Sequence, residues 1–220
     1  RKNLAMTECI GLTEQSTLLC YEIIEYEPTP PAIVIQFDDI RRVFREEWPL
    51  LEKARGVMGN AQQPIMALPN LFFFARVAQD IEYSNRSDIE VLRELAAFLD
   101  GDEELLVPAW ECLRRGMNDL PSDLPQRLRA STLKSEAAQN LPGGAQNYLD
   151  IVAAFVEARI EVLRVCEIED ATAAHQAGIA ALKKWWDVHR YVYSGESGVG
   201  FTLEFTHPQL RAPLEARGIQ

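Results

Sequence analysis

The sequence predicts an all-α fold, a single helical-bundle domain with long irregular connecting loops. Apolar residues recur three or four positions apart over several long segments, which is typical of amphipathic helices. Only residues 32–37 are apolar and β-branched enough for a strand, and no second stretch of similar quality could pair with them, so we expect an extended lead-in. With 220 residues, 47% of them hydrophobic, the chain can bury the core of one domain. We divide this predicted domain, 1–220, into N-terminal helices with a proline-rich connector (1–65) and a candidate cofactor-binding core (66–205).

The N-terminal part predicts helices separated by prolines. Residues 13–27 predict a first helix, and the prolines that follow predict a stiff connector. Asp38 or Asp39 then caps a second helix, which breaks near Pro49. The aspartate pair could instead hold Mg²⁺, but two arginines rather than a further acid follow it, so we favour the cap. A very apolar segment next predicts a buried helix that begins at or just before Pro69.

The middle of the chain contains two clear helix signals and one irregular region. Ser87-x-x-Glu90 is a capping box that opens a helix, and Gly101 lies just past the end of that helix. Residues 102–115 predict another helix. Prolines and glycines punctuate residues 118–144, which we expect to form a lid or to line a ligand.

The last two predicted helices, 145–168 and 170–192, should pack against each other. On the second of them His189 shares a face with large side chains, and Trp185 lies one turn before it. The others on that face are Ile179, Leu182, Trp186 and Tyr193. A buried imidazole either makes hydrogen bonds within the core or binds a metal, and the pattern alone leaves both alternatives open.

Two further features allow a structural and a functional interpretation. The loop that contains Gly198 and Gly200 could present backbone N–H groups to a ligand, or could simply follow a helix C-cap. Arg76 is the one cation of its apolar segment, so it must bind an acid. That acid could be Asp80, one turn later, or a substrate carboxylate.

Composition excludes several classes of partner. The net charge of −11 and the absence of a basic patch argue against binding to nucleic acid or to an anionic membrane. The four cysteines are far apart and form no CxxC pair, which is typical of reduced thiols. No apolar run is long enough for a transmembrane helix. We therefore expect a soluble cytoplasmic protein.

The residues also exclude several kinds of active site. There is no Gly-x-Ser-x-Gly elbow and no Walker or Rossmann glycine pattern. His175 and His189 would lie roughly 21 Å apart along one helix, so they cannot share a metal ion. No Glu-x-x-His pair supports a di-iron site, and we expect Glu157 and Glu161 to form a solvated stripe. The metal cofactor that remains is heme held by a single imidazole.

Three segments resemble one enzyme family. Residues 181–192 read Ala-Leu-x-x-Trp-Trp-x-x-His-x-x-Val and precede a Gly-x-Gly sequence. This resembles the proximal-histidine helix and the glycine-rich loop of the heme-dependent indoleamine and tryptophan dioxygenase superfamily, which includes pyrrolnitrin-pathway and tyrosine-hydroxylating relatives. Gly143-Gly144-Ala145-Gln146-Asn147 is similar to the segment that lines the heme pocket of indoleamine dioxygenases. Phe72 and Arg76, one turn apart, resemble the aromatic residue and the arginine that hold an amino-acid substrate in that family.

The resemblance implies a heme b cofactor whose iron is bound by His189. It also implies that four residues lie near the porphyrin: Trp186, Gly144, Ala145 and Gly198. A small aromatic substrate, indole-, tryptophan- or tyrosine-like, would be held by Phe72, Arg76 and Gly200 and would react with O₂. The resemblance leaves open mono- or dioxygenation and homo-oligomer formation, and it names no catalytic residue in this chain.

Two other functions compete with this leading hypothesis of a heme-dependent aromatic oxygenase. In the first, the protein is a non-catalytic all-α binding or interaction module in which Trp185, Trp186 and His189 are core residues. In the second, it binds a small molecule without chemistry.

Overall fold

Helices dominate the described part of the chain, so the predicted all-α class is confirmed. The computed structural model describes residues 19–23, 35, 37–51, 56–60, 68–115, 120–165 and 167–192. For the two strands and for residues 39, 46–51, 115, 162, 182 and 185–192 it describes the backbone alone. Eight α-helices, one 3₁₀ helix and one pair of strands occur within those ranges. No helix in the described ranges is both long enough and apolar enough to cross a membrane.

The packing divides the chain into two compact units. The first unit holds the two strands, the first two α-helices, the 3₁₀ helix and the following residues up to Val91. Within the described residues, the second unit holds Ile35 and the chain from Leu92 onwards. The predicted division at residues 65 and 66 stays a prediction.

The first unit contains one short sheet. Strand β1 (Leu19–Ile23) pairs in parallel with β2 (Gly56–Asn60), with Leu19 opposite Gly56 and Ile23 opposite Asn60. The prediction of a helix at 13–27 is therefore wrong across β1. Leu, Cys, Tyr and Ile of β1 are compatible with a strand when a neighbouring strand provides hydrogen-bond partners. Strand β2 provides those partners, although its own glycine-containing sequence gives little indication of a strand.

Aromatic rings form the core of the first unit. Helix α1 (Phe37–Leu51) packs on α2 (Leu68–Gln79), and the Phe37 and Phe73 ring centroids lie 4.7 Å apart. Helix α1 begins before Asp38, which lies in its first turn rather than at its cap, and it continues past Pro49 by two residues. Helix α2 begins one residue before Pro69, as predicted.

A capping box opens α3 (Asp88–Phe98), as predicted. The Ser87 backbone N–H donates to Glu90 Oε2 at 2.8 Å, and the Glu90 N–H donates to Ser87 Oγ at 3.4 Å. At the other end Asp100, not Gly101, adopts the left-handed conformation, with φ of 50°. Gly101 is required for space instead, because a Cβ there would lie 2.6 Å from the side chains of both Leu106 and Leu133.

In its described part, the second unit contains most of α3 and five further helices, and they bury an apolar core. The irregular region at 118–144 contains two short helices within its described part, α5 and α6, and each begins next to a helix-starting residue, Asp123 or Ser135. The predicted helices at 145–168 and 170–192 correspond to α7 and α8. The bounds are α4 (Glu103–Arg115), α5 (Leu124–Ala130), α6 (Glu136–Gln139), α7 (Gly144–Val165) and α8 (Ala171–Val192).

Helices α7 and α8 pack side by side, as the sequence predicts. Each has 22 residues, and only a few residues separate them in the chain. A 22-residue helix is about 33 Å long, which so short a connection cannot span, so the two helices run antiparallel. The end of α8 that carries His189 therefore lies towards the start of α7.

Candidate functional site

The backbone of α8 places the predicted heme ligand near the C-terminal end of a long packed helix. His189 is the fourth residue from the end of α8, and Trp185 and Trp186 lie one turn before it on the same helix. Their side chains, and the whole loop with Gly198 and Gly200, lie outside the described residues. The ligand assignment of His189, the role of Trp186 and the roles of the two glycines stay predictions.

The described part of α8 buries small residues. Ala174, Gly178 and Ala181 are buried and recur four and three positions apart, so they share one face. His175, between them in sequence, is exposed, as we expect for a histidine without a ligand role. Small residues allow two helices to approach closely, because the interaxial distance depends on the side chains at the contact.

The register of the helix pair shows which part of α7 lies beside His189. Lys184 of α8 contacts Glu157 and Glu161 of α7. His189 lies five residues further along α8, or roughly 7.5 Å, and the antiparallel partner at that level is the middle of α7. That stretch is apolar and 0–1% exposed at each of four positions: Val152, Ala153, Phe155 and Val156.

The start of α7 is built on two left-handed glycines. Gly143 has φ of 77° and Gly144 has φ of 83°, a conformation that L side chains rarely adopt. A Cβ on Gly143 would lie 2.5 Å from the Asn147 amide nitrogen, whereas a Cβ on Gly144 would meet nothing within 4 Å. Asn147 Nδ2 donates to the Pro142 carbonyl oxygen at 3.1 Å and so closes the turn. Ala145, by contrast, is buried. Gly144 thus lies beside open space, while Asn147 secures the turn.

A network of charges joins three helices of the second unit, and the sequence did not predict it. Lys184 Nζ lies 3.2 Å from Glu157 Oε1 and also binds Glu161 Oε1. Arg129 of α5 donates to the other oxygen of Glu157 at 2.6 Å. Glu157 and Glu161, for which the sequence predicts a solvated stripe, are both about one-third exposed, and both also bind cations. Their i, i+4 spacing was visible in the sequence, but their partners were not.

The same contacts shift the pKa values of the network. The hydrogen bond from Arg129 lowers the pKa of Glu157, and Lys184 lowers it further, although partial burial acts in the opposite direction. Burial favours the neutral form of Lys184, but its hydrogen bonds to Glu161 and Glu157 outweigh this and raise its pKa. Both shifts favour the charged forms, so Glu157 and Lys184 remain charged at neutral pH.

Helices α4 and α7 share a buried polar pair beneath this network. Trp110 Nε1 donates to the Tyr148 hydroxyl at 2.9 Å, and both side chains are almost fully buried. Cys112, on the same helix as Trp110, is 1% exposed. Burial raises the pKa of its thiol to about 12, although the Arg159 guanidinium acts in the opposite direction. Such a thiol is chemically inert at neutral pH.

The predicted substrate residues belong to the first unit, and they contact each other. The Arg76 guanidinium carbon lies 5.4 Å from the centre of the Phe72 ring and 5.7 Å from that of Tyr83. Arg86 stacks on the same Tyr83 ring at 4.9 Å. Arg76 is exposed, and Phe72 is partly exposed. Asp80, the alternative partner that the sequence suggested, accepts the backbone N–H of Glu82 at 3.0 Å.

The remaining observations concern metals and relatives. Among the described residues, no three His, Cys, Asp or Glu side chains lie together in a way that could hold a metal ion. Comparisons of the chain with protein-family models, with curated proteins and with solved structures gave no match.

Proposed function

We propose that this protein is a heme-dependent oxygenase that inserts oxygen from O₂ into a small aromatic substrate. The observation that carries the proposal is the pairing of α7 with α8. The sequence resemblance assigns the His189 segment and the Gly143–Gly144 segment to one heme pocket, although about forty residues separate them. The helices that contain these segments are antiparallel neighbours, so a common site is compatible with the fold.

The residues present suit the cofactor in three respects. An imidazole on a packed helix is a common axial ligand of heme iron. The level of α7 beside His189 is apolar and closed to water, through buried residues such as Val152 and Phe155. The open space beside Gly144 is free of protein atoms within 4 Å of an added Cβ. Trp186, Gly144, Ala145 and Gly198 are the residues that we assign to the surroundings of the porphyrin.

The protein's own part in the reaction is to bind, orient and shield. Heme, when bound, would supply the iron that binds and activates O₂. His189 would hold that iron. The apolar surface of α7 would exclude water from the reacting groups.

Arg76 and Phe72 are assigned to substrate binding by the resemblance, and their contact with each other is compatible with that role. A guanidinium held over an aromatic ring is restricted in orientation and can bind a carboxylate through two parallel hydrogen bonds. The 5.4 Å stacking distance to Phe72 supports such preorganisation. Gly200 is assigned to the same role by the resemblance alone.

Heme titration of a histidine variant tests the proposal. His189→Ala should remove heme binding or weaken it severely, because the iron loses its protein ligand, while circular dichroism shows unchanged helix content. The matched control is His175→Ala, on the same helix but exposed, which should bind heme like the parent.

Two outcomes would contradict the proposal. If the His189 variant binds heme as tightly as the parent and gives the same ferrous–CO spectrum, the ligand assignment and the oxygenase proposal are wrong. If the parent stays colourless after expression with excess heme, the non-catalytic all-α module becomes the better interpretation.

A further inference from the structure

The interface between α7 and α8 combines a face of small side chains, within the described part of α8, with one group of charges at its edge. The described buried positions of α8 are all small: Ala174, Gly178 and Ala181. Large side chains that insert between those of a partner helix resist axial movement, and small ones resist it much less. Within the described part of α8, the contacts that oppose sliding most directly are therefore those at the edge of this interface.

Lys184 makes those contacts. Its ammonium group binds carboxylate oxygens of both Glu157 and Glu161, which lie one helical turn apart on α7. Arg129 holds Glu157 from the other side at 2.6 Å, so this carboxylate is itself fixed. Displacing α8 by one turn, about 5.4 Å, would take Lys184 away from at least one of the two carboxylates.

Glu157 and Glu161 do not stabilise each other. Like charges at i, i+4 repel, so the pair is unfavourable for α7 unless a cation lies between them. Lys184 supplies that cation from α8, and it directly precedes the Trp185–Trp186 turn that leads to His189. Its neighbour Lys183 is exposed and provides an internal comparison.

We propose that Lys184 is a positioning residue: its bridge to Glu157 and Glu161 sets the axial register of α8 on α7 and thereby the position of His189. The register itself is independent of any cofactor, whereas the consequence for His189 rests on the proposed function. The bridge ties the described part of α8 to α7 by charge at two carboxylates.

Hydrogen exchange of the heme-free protein tests the register. Lys184→Met removes the charge but keeps the length and helix propensity of the side chain. In this variant the hydrogen-exchange rate of backbone amides in the segment 182–192 should rise on the order of fivefold, because two partly exposed ion pairs are lost. Lys183→Met should exchange like the parent, and Lys184→Arg should restore most of the protection. Roughly 1 M salt, which shortens the Debye length to about 3 Å, should accelerate exchange in the parent but add little in Lys184→Met.

The consequence for the site is read from the heme spectrum. Lys184→Met should bind heme at least several-fold more weakly and give an altered ferrous–CO spectrum. The double variant that swaps the two charges, Lys184→Glu with Glu161→Lys, should partly recover heme affinity and the parent spectrum. Equal exchange in Lys184→Met and Lys183→Met would overturn the register inference, whatever the heme result. Faster exchange in Lys184→Met with an unchanged heme spectrum would overturn its positioning role. A parent that binds no heme would refute the proposed function, and the exchange data would still decide the register.

Discussion

The buried hydrogen bond between Trp110 and Tyr148 predicts a measurable loss of stability in Tyr148→Phe. The substitution removes one oxygen and leaves both rings in place, so it creates almost no cavity. In the parent, the Trp110 N–H donates to the Tyr148 hydroxyl at 2.9 Å. In the variant this N–H has no acceptor, and water cannot replace the hydroxyl because the Trp110 side chain is 0% exposed. An orphaned buried donor costs about 1–3 kcal/mol. We therefore expect the free energy of unfolding to fall by about 2 kcal/mol.

Urea denaturation at neutral pH measures this loss, and a double-mutant cycle assigns it. Trp110→Phe alone also removes packing, but in the double variant no donor is orphaned. The coupling free energy between the two sites should therefore be about 1 kcal/mol or more. A Tyr148→Phe variant within about 0.3 kcal/mol of the parent, or a coupling of zero, would show that the bond does not stabilise the fold.

Alkaline pH provides an independent check of the same residue. Burial raises the pKa of the Tyr148 phenol well above its usual value, although the hydrogen bond from Trp110 opposes this. Because the folded pKa lies above the unfolded value, the contribution is complete below about pH 10 and is lost as the pH rises further. The stability difference between parent and Tyr148→Phe should therefore narrow above about pH 10. A constant difference would contradict the burial of an ionisable phenol.

Two other predictions concern buried groups. Arg41→Met should destabilise the first unit by about 3 kcal/mol in denaturant unfolding, because Asp88, 2.5 Å away and 9% exposed, loses a buried cation. The matched control Arg93→Met breaks a pair with Glu103 that is more than half exposed and should cost less than about 1 kcal/mol, so equal losses would refute the argument. At about pH 8, Cys112 should react with iodoacetamide on the order of a hundredfold more slowly in the native than in the unfolded protein, because the buried thiol forms very little thiolate. Peptide mass spectrometry measures the two rates. Comparable rates in the two states would mean that this thiol is not buried.

Helices with local signals were predictable from the sequence, and the strand pair was not. The Ser87 capping box lies within four consecutive residues and fixes the start of α3 by contacts among those residues alone. Strand β1 obtains its hydrogen bonds from β2, which lies on the other side of α1 in the chain. Strand formation depends on such distant partners, so a segment with a helical spacing of apolar residues was interpreted as a helix.

Arg41 illustrates what the sequence conceals about charged residues. In the sequence it is one of two arginines after a pair of acids. In the structure its guanidinium lies 4.9 Å from the centre of the Phe73 ring and donates to the Ser84 carbonyl at 3.0 Å and to the Arg86 carbonyl at 2.9 Å. These groups lie more than thirty positions away in the chain, so no local pattern could identify them.

Local patterns were enough to predict the helical class of this protein, the approximate extents of α7 and α8, and the presence of His189 and Gly144 on or beside them. These properties follow from periodicity, caps and glycines, which act over a few residues. The contacts of Lys184 with Glu157 and Glu161, and the hydrogen bond from Trp110 to Tyr148, depend instead on how the helices pack. Periodicity specifies which residues share a face of a helix, but the face of another helix that they meet depends on the packing of the whole unit.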